Sequence, residues 1–183
     1  MFAQSKRKVS PSFAVQLREK LSDEIIPVGV FVNAPVADIV ALYNENVISI
    51  AQLHGTENDE YITQLKEASA VGRKKPLEVI KTIKIPHSLH PTPSADYYLI
   101  DSGAGSGKAF DWELLNSPGV EALKARKPWF LAGGIGLDNI ELAMRFNPCA
   151  LDVSSGAETD GIKDFSKIVQ LVSLVRGYAK EEK

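Results

Sequence analysis

The chain has one cysteine, Cys149, among its 183 residues, and a single thiol excludes an intramolecular disulfide. The sequence also lacks a cluster of His, Cys and Asp residues at the spacing of metal ligands. No apolar run reaches the length of a membrane span, and the segment after Met1 lacks the apolar core of a signal peptide. The net charge of −2 gives no excess of basic residues for a nucleic-acid surface. We therefore expect a cytoplasmic protein with no metal, nucleic-acid partner or membrane contact.

What the sequence does contain is a series of short apolar runs of strand length. Most of them are continuous rather than alternating, which is typical of strands buried on both faces of a parallel sheet. The runs are Ile25–Val32, Val47–Leu53, Leu77–Ile83, Tyr97–Ile100, Trp129–Ala132 and Ala150–Val153. Apolar stripes at helical spacing alternate with these runs, so the sequence predicts repeated βα units in a single α/β domain over residues 1–183.

Five such stripes predict helices. Their apolar positions are Phe13, Leu17 and Leu21; Val36, Ile39, Val40 and Tyr43; Tyr61, Ile62, Leu65 and Ala68; Leu137, Ile140, Ala143 and Met144; and Phe165, Ile168, Val169, Val172 and Val175. The segment from Lys84 to Asp96 contains three prolines, and we expect it to be a surface connection in place of a regular helix.

Two α/β architectures fit this order of elements. A doubly wound sheet needs a glycine-rich phosphate turn after its first strand, and Asn33-Ala34-Pro35 is not one. A (β/α)8 TIM barrel instead carries functional groups at the carboxyl ends of many strands. Polar residues do follow most of the predicted strands: Asn33, Gln52 and His54, Asp101, Gly133 and Gly134, and Asp152, Ser154 and Ser155. We predict a TIM barrel that is incomplete at its N-terminus, with about six full βα units.

Asp101 ends the apolar run Tyr97–Ile100, and Gly103, Gly105 and Gly107 follow it. An acid in this position is either catalytic or a cap for the following loop. The apolar surroundings are expected to raise the pKa of its carboxyl group, which suits a proton donor. The glycines fit either a loop that closes over a ligand or a plain linker.

Seven stretches together carry a family resemblance. They are FAQSKRKVSP (2–11), GVFVN (29–33), QLHG (52–55), LID (99–101), GSGKAFDW (105–112), LAGGI (131–135) and LDVSSGAE (151–158). In this order they resemble phosphoribosylanthranilate isomerase, a TIM-barrel enzyme of tryptophan biosynthesis. The resemblance implies an Amadori rearrangement of N-(5-phosphoribosyl)anthranilate to 1-(2-carboxyphenylamino)-1-deoxyribulose 5-phosphate, without a cofactor or a metal.

The resemblance also implies roles for individual residues. Asp101 matches the general acid, Arg7 matches the arginine for the anthranilate carboxylate, and Gln52 and His54 match a substrate-site pair. Gly133, Gly134, Ser154 and Ser155 are expected to bind phosphate through backbone N–H groups. Asp152 is a candidate for a ribose hydroxyl. The plainer alternatives are a solvated basic segment around Arg7, a structural role for His54, and ordinary strand-to-helix turns at the Gly and Ser positions.

The sequence departs from the family at its start. The family opens with a strand that carries Lys-x-Cys-Gly, and the catalytic cysteine of that motif has no match here; Cys149 follows Asn147-Pro148 at the start of a strand and is no substitute. One hypothesis is that Met1 is an internal methionine. Loss of a general base commonly costs roughly 100- to 10,000-fold in rate, so we expect impaired activity.

Three other functions stay open. The chain could be a non-catalytic phosphosugar-binding module or half of a split enzyme, or another sugar-phosphate isomerase with His54 as its base. A Schiff-base aldolase that uses Lys81 or Lys84 is a weaker alternative, since nothing in the sequence marks either lysine as a nucleophile. The open edges of an incomplete barrel predict a homodimer or an exchange of strands between copies.

Overall fold

A computed structural model describes residues 5, 7–86, 89–101 and 111–181. The chain divides into two compact units. The first contains the residues up to Thr82 together with Pro91–Tyr97, and the second contains Ile83–His90 and the residues from Tyr98 onward. Each unit is built from parallel strands and helices, and the assignment of residues 1–183 to a single domain stays a prediction.

The first unit is a three-stranded parallel arrangement with three helices. Its strands are β1 (Val28–Phe31), β2 (Ile50–Leu53) and β3 (Glu78–Lys84), the last of which continues into the second unit, and its helices are α1 (Pro11–Lys20), α2 (Val36–Asn44) and α3 (Asp59–Ala70). Strand β2 pairs in parallel with β1 and with β3. The register sets Gln52 opposite Val30 on one side and opposite Ile80 on the other.

Local sequence signals explain where these helices begin. The Ser10 side chain accepts a hydrogen bond from the backbone N–H of Phe13, and Pro11 occupies the first helical position of α1. The Asn58 side chain does the same for Tyr61 at the start of α3, at 2.9 Å. Helix α3 then buries Ile62 and Leu65, which lie on one face because they are three residues apart.

The second unit repeats the pattern. Its strands are β4 (Tyr97–Asp101), whose first residue belongs to the first unit, β5 (Trp129–Ala132) and β6 (Ala150–Leu151). Its helices are α4 (Pro118–Lys124), α5 (Ile140–Met144) and α6 (Phe165–Glu181), and a short hairpin consists of β7 (Glu158–Thr159) and β8 (Ile162–Lys163). Strand β5 pairs in parallel with β4 and with β6. The described residues of this unit also form two 3₁₀ turns, at Trp112–Asn116 and Ser155–Ala157.

The six predicted strands and five predicted helices occur in the predicted order, with some shifts at the element ends, whereas helix α4 and the β7–β8 hairpin were not predicted. The first predicted run begins at Ile25, whereas β1 begins at Val28 and leaves Ile25 and Ile26 half or more exposed. Helix α5 begins at Ile140, so Leu137 precedes it. The described part of the connection from Lys84 to Asp96 has no helix, as expected. Within the described ranges, no helix is long and apolar enough to cross a membrane.

The apolar stripes of α1 and α6 form as predicted, but they are exposed. On α1, Phe13 and Leu17 are 48% and 43% exposed, and on α6 Phe165 is 79% exposed. Leu171 is the buried apolar residue of α6 among those described, and it was not in the predicted stripe. Periodicity identifies an apolar face, whereas burial depends on what packs against that face.

Candidate functional site

In the first unit, the predicted pair Gln52 and His54 lies at the carboxyl end of β2. Gln52 is buried within the strand, and His54 follows it and is half-buried. The His54 backbone N–H donates to the carbonyl of Phe31 at 2.8 Å, which continues the pairing with β1 by one step. Alternate residues of a strand share a face, so Gln52 and His54 lie on the same side of the sheet.

The His54 ring has a defined partner on the neighbouring strand. Its Nδ1 atom lies 3.1 Å from the hydroxyl oxygen of Thr82 on β3. A hydrogen bond at one ring nitrogen fixes the orientation of an imidazole and favours one tautomer. This geometry agrees with a substrate-binding role and also with the structural alternative for His54.

A buried ion pair lies in the same unit. The Lys81 ammonium lies 3.0 Å from Glu57 Oε2 and donates to the carbonyl of Gly55 at 2.8 Å. The two charged side chains are 8% and 1% exposed. The other oxygen of Glu57 accepts from the backbone N–H of Asn33 at 2.7 Å. Because the Lys81 ammonium is held by two acceptors, the geometry does not favour a Schiff-base nucleophile at this position.

Glu57 was not among the functional candidates predicted from the sequence. One signal was available, since Lys81 lies inside an apolar run of strand length and a buried lysine is almost always paired. The partner could not be identified in this way, because 24 residues separate Glu57 from Lys81.

Asn33 connects the loops that follow β1 and β2. Its φ angle is +49°, in the left-handed region that asparagine tolerates better than most residues. Its side-chain oxygen accepts from the backbone N–H and the hydroxyl of Thr56, at 2.9 and 3.1 Å. A Cβ atom on Gly55 would lie 2.4 Å from this same oxygen, so a side chain at position 55 would displace the Asn33 amide.

Tyr61 lies beside the loops that follow β1 and β2. Its hydroxyl donates to the carbonyl of Ala34 at 2.6 Å. Burial, with smaller contributions from the nearby carboxylates of Glu57 and Asp38, raises the pKa of Tyr61 to about 12. A cavity of about 360 Å³ lies here, lined by Asn33, Thr56, Glu57, Asn58 and Tyr61.

Arg7, the predicted carboxylate ligand, lies in a turn that precedes α1. Its backbone N–H donates to the Ser5 hydroxyl at 2.9 Å, and the residue is half-buried. The role of Arg7 as a carboxylate ligand therefore stays a prediction beside the alternative of a solvated basic segment.

In the second unit, Asp101 is the last residue of β4 and is half-buried. Its position in the register is opposite Ala132 on β5, and its carbonyl accepts from the backbone N–H of Ile85 at 3.0 Å. The backbone that carries the carboxylate is therefore fixed on both sides. Residues 102–110, which include Gly103, Gly105 and Gly107, lie outside the described residues, so the prediction for that loop stays untested.

The predicted phosphate ligands follow β5 and β6. Gly133 and Gly134 have φ angles of +105° and +69°, which L side chains rarely adopt. Asn139 fixes this loop, because its amide donates to the Gly134 carbonyl at 3.1 Å and its oxygen accepts from the Gly136 N–H at 2.9 Å. Asn139 was not among the residues predicted from the sequence.

The loop after β6 contains the remaining predicted ligands. Asp152 is half-buried, and its N–H donates to the Leu131 carbonyl at 2.8 Å. Ser154 and Ser155 are exposed. This loop contacts the one after β5, since a Cβ atom on Gly156 would lie 2.7 Å from the Cα of Gly136. Two adjoining turns of Gly and Ser offer backbone N–H groups and hydroxyls that suit an anion.

Cys149 lies at the other end of β6 from Asp152. It precedes the strand, and its thiol donates to the carbonyl of Trp129 at 3.0 Å. Burial raises the pKa of the Cys149 thiol. A thiol at this end of the strand with a raised pKa does not replace a catalytic cysteine. Across the described ranges, no three His, Cys, Asp or Glu side chains come together in a way that could hold a metal ion.

Comparison with known proteins gives a consistent result. Residues 1–174 match the family model for N-(5'phosphoribosyl)anthranilate (PRA) isomerase. The isomerase of this name from Endomicrobium trichonymphae is 41% identical in an alignment 183 positions long. The alignment covers 96% of this chain and 85% of that protein.

Solved structures of isomerases from the same family are also similar to this chain. The crystal structure of phosphoribosyl anthranilate isomerase from Thermotoga maritima is similar with a TM-score of 0.78 and 28% identity, over 96% of this chain and 85% of that one. A second isomerase structure, solved in complex with reduced 1-(o-carboxyphenylamino)-1-deoxyribulose 5-phosphate, has a TM-score of 0.73 and 26% identity, over 96% of this chain and 84% of that one.

Proposed function

Because this chain belongs to the N-(5'-phosphoribosyl)anthranilate isomerase family, we propose that it catalyses the Amadori rearrangement of N-(5-phosphoribosyl)anthranilate in tryptophan biosynthesis. The product is 1-(2-carboxyphenylamino)-1-deoxyribulose 5-phosphate. The observation that carries this proposal is the family match over residues 1–174, a range that contains every predicted site residue from Arg7 to Ser155.

Asp101 is the general acid in this proposal. Its carboxyl proton passes to the furanose ring oxygen, the bond between that oxygen and C1 breaks, and the nitrogen lone pair forms a Schiff base. Loss of the C2 proton to a base then gives an enolamine, which tautomerises to the ketone. By the family resemblance this base is the cysteine of the Lys-x-Cys-Gly motif, which has no match in this sequence, so the expected rate is low. A position at the end of β4, where the backbone is fixed by Ile85 and Ala132, suits a group that must donate to one defined atom.

The remaining residues bind the substrate. Arg7 pairs with the anthranilate carboxylate through its fork of donors. Gln52 and His54 contact the substrate at the end of β2. In the second unit, the phosphate accepts hydrogen bonds from the turns at Gly133 and Gly134 and at Ser154 and Ser155, and Asp152 accepts from a ribose hydroxyl. The ligand of the solved isomerase complex carries a carboxyphenyl group and a phosphate, which are the two groups that these sites would recognise.

The proposal extends to architecture and assembly. We assign the chain to the (β/α)8 barrel class, with about six βα units. The exposed apolar faces of α1 and α6 support association of two copies, by dimerisation or by exchange of strands. Sedimentation velocity tests this, and a monomer at micromolar concentration would contradict it. The location in the cytoplasm and the absence of nucleic-acid partners stay predictions.

The activity is tested by the loss of fluorescence of phosphoribosylanthranilate on addition of the chain. Asp101→Asn should lower kcat/KM by roughly 100- to 10,000-fold, since the amide cannot donate the proton of a carboxylic acid. The matched control is Asp23→Asn, because the Asp23 side chain is fully exposed in a surface pair with Arg18.

The outcomes separate the candidate functions. Turnover that Asp101→Asn abolishes and Asp23→Asn preserves supports the proposal. Turnover that Asp101→Asn leaves unchanged contradicts the role of Asp101. If the reduced product binds but no turnover occurs, the chain is a binding module or part of a split enzyme. If His54→Gln removes an Asp101-independent activity, another isomerase mechanism operates.

A further inference from the structure

Strand β3 contacts the loop after β2 from both faces of the sheet. This loop, residues 54–57, contains His54, Gly55 and Glu57. Consecutive strand residues point to opposite faces, so Lys81 and Thr82 cannot act on the loop from the same side. Lys81 reaches Glu57 and the Gly55 carbonyl, at 3.0 and 2.8 Å, while Thr82 reaches the His54 ring at 3.1 Å.

The ion pair between Lys81 and Glu57 is buried. Both oxygens of the Glu57 carboxylate are occupied, one by Lys81 and the other by the Asn33 N–H at 2.7 Å. The carboxylate is 1% exposed and the ammonium 8% exposed. Taking two charges out of water costs about as much as their attraction returns, so a buried pair adds little to stability compared with apolar side chains. What the pair does supply is directional contacts to one loop.

The loop is further fixed against the end of β1. Asn33 accepts from Thr56 at 2.9 Å, and Gly55 approaches the Asn33 side chain so closely that a Cβ atom would not fit. Each residue from 54 to 57 therefore has a hydrogen bond to β1, to β3 or to Asn33, which follows β1.

We propose that Lys81 and Glu57 are positioning residues that, together with Thr82, hold the His54 imidazole in one orientation and one tautomer for the substrate. Neither Lys81 nor Glu57 is assigned a contact with the substrate. In a neutral imidazole the two ring nitrogens have opposite hydrogen-bonding roles. A fixed role for Nδ1 toward Thr82 therefore determines whether Nε2 donates or accepts. The consequence for turnover rests on the proposed function, whereas the state of the ring does not.

The test is ¹⁵N NMR of the histidine side chains in the full chain, with His54→Gln to assign the signal. The double variant Glu57→Gln with Lys81→Met removes both charges, because removing one alone would leave the other buried and unpaired. We expect the wild type to show ring nitrogen shifts of a single tautomer. The double variant should show shifts averaged between tautomers, together with a loss of roughly 10- to 100-fold in kcat/KM that is carried by KM.

The control is the Lys66–Asp96 pair of the same unit, at 2.7 Å, which lies half-buried and whose other hydrogen bonds go to the Ser94 carbonyl and the Val79 N–H. Lys66→Met with Asp96→Asn should leave the His54 shifts unchanged. A folded Glu57→Gln, Lys81→Met variant with wild-type His54 shifts and wild-type KM would overturn the proposal.

If the double variant does not fold, the milder double variant Glu57→Gln with Lys81→Gln, which also removes both charges but keeps polar side chains, takes its place. A change in the His54 shifts supports the proposal, and unchanged shifts overturn it. The NMR result stands even if the wild type shows no turnover of phosphoribosylanthranilate, so failure of the proposed function and failure of this inference are distinguishable.

Discussion

A Cβ atom on Gly156 would lie 2.0 Å from the carbonyl oxygen of Ile135, so these two residues meet through their backbones. No side chain fits between them, and the nearest obstacle is main chain rather than a flexible group. The loops after β5 and β6, which carry the proposed phosphate ligands, are thereby fixed against each other. Their arrangement depends on a glycine that does not itself need to touch the phosphate.

Replacing this glycine should damage both stability and phosphate binding. Gly156→Ala should lower the free energy of unfolding by about 1–3 kcal/mol, because the backbone must shift to accept a methyl group. The inhibition constant of inorganic phosphate should rise about tenfold, which corresponds to roughly 1.4 kcal/mol. Urea unfolding and inhibition kinetics measure the two effects.

The control for this change is Gly177→Ala in α6, where an added Cβ would meet no atom within 4 Å. Alanine should there raise stability by up to about 1 kcal/mol through its higher helix propensity. If Gly156→Ala behaved like Gly177→Ala, the contact with Ile135 would not constrain the loops.

Arg7→Lys should raise KM about tenfold with little change in kcat. A lysine keeps the charge but loses the fork of donors that pairs with a carboxylate in two parallel bonds. Steady-state kinetics with phosphoribosylanthranilate measure the effect. Arg18→Lys, in a surface pair with Asp23 at 3.5 Å, is the matched control and should retain wild-type kinetics. Equal KM values for both variants would remove Arg7 from the proposed site.

Ser69→Ala should destabilise the first unit by about 1–3 kcal/mol. Ser69 is fully buried, and its hydroxyl donates to the Lys66 carbonyl and accepts from the Leu77 N–H, both at 2.9 Å. Alanine leaves that N–H buried without this partner. Urea titration at constant m value measures the loss. The exposed Ser49→Ala should stay within about 0.5 kcal/mol of wild type, and a similar result for Ser69→Ala would contradict the prediction.

Tyr61 should make stability fall as the pH rises above about 10. The folded protein holds the hydroxyl proton more tightly than the unfolded chain, since its pKa is raised to about 12 from an ordinary value of about 10. The protonated Tyr61 hydroxyl therefore makes its full contribution to the free energy of unfolding below pH of about 10. This contribution is lost as the pH rises toward about 12. Chemical unfolding across this range should show a shallower decline for Tyr61→Phe than for wild type. Parallel curves would contradict the assignment.

Much of the fold was predictable from local pattern. Trp129–Ala132 was predicted as a strand with its observed bounds, because a strand buried in a parallel sheet must be apolar throughout. The boundaries at Ile25 and Leu137 were wrong, since apolar residues beside an element look the same in the sequence whether or not they belong to it. The exposure of Phe165 was unpredictable for a related reason, because a stripe carries no information on its neighbours.

The sequence by itself determined the alternation of strands and helices, the polar residues at the strand ends and the family motifs around Asp101. Each of these depends on residues close together in the chain, where periodicity and spacing are directly visible. The tertiary structure decided the contacts of Lys81 with Glu57, of Thr82 with His54 and of Gly156 with Ile135. These pairs are about 20 to 30 residues apart, and only the register of parallel strands and the path of their loops brings such residues within hydrogen-bonding or van der Waals distance.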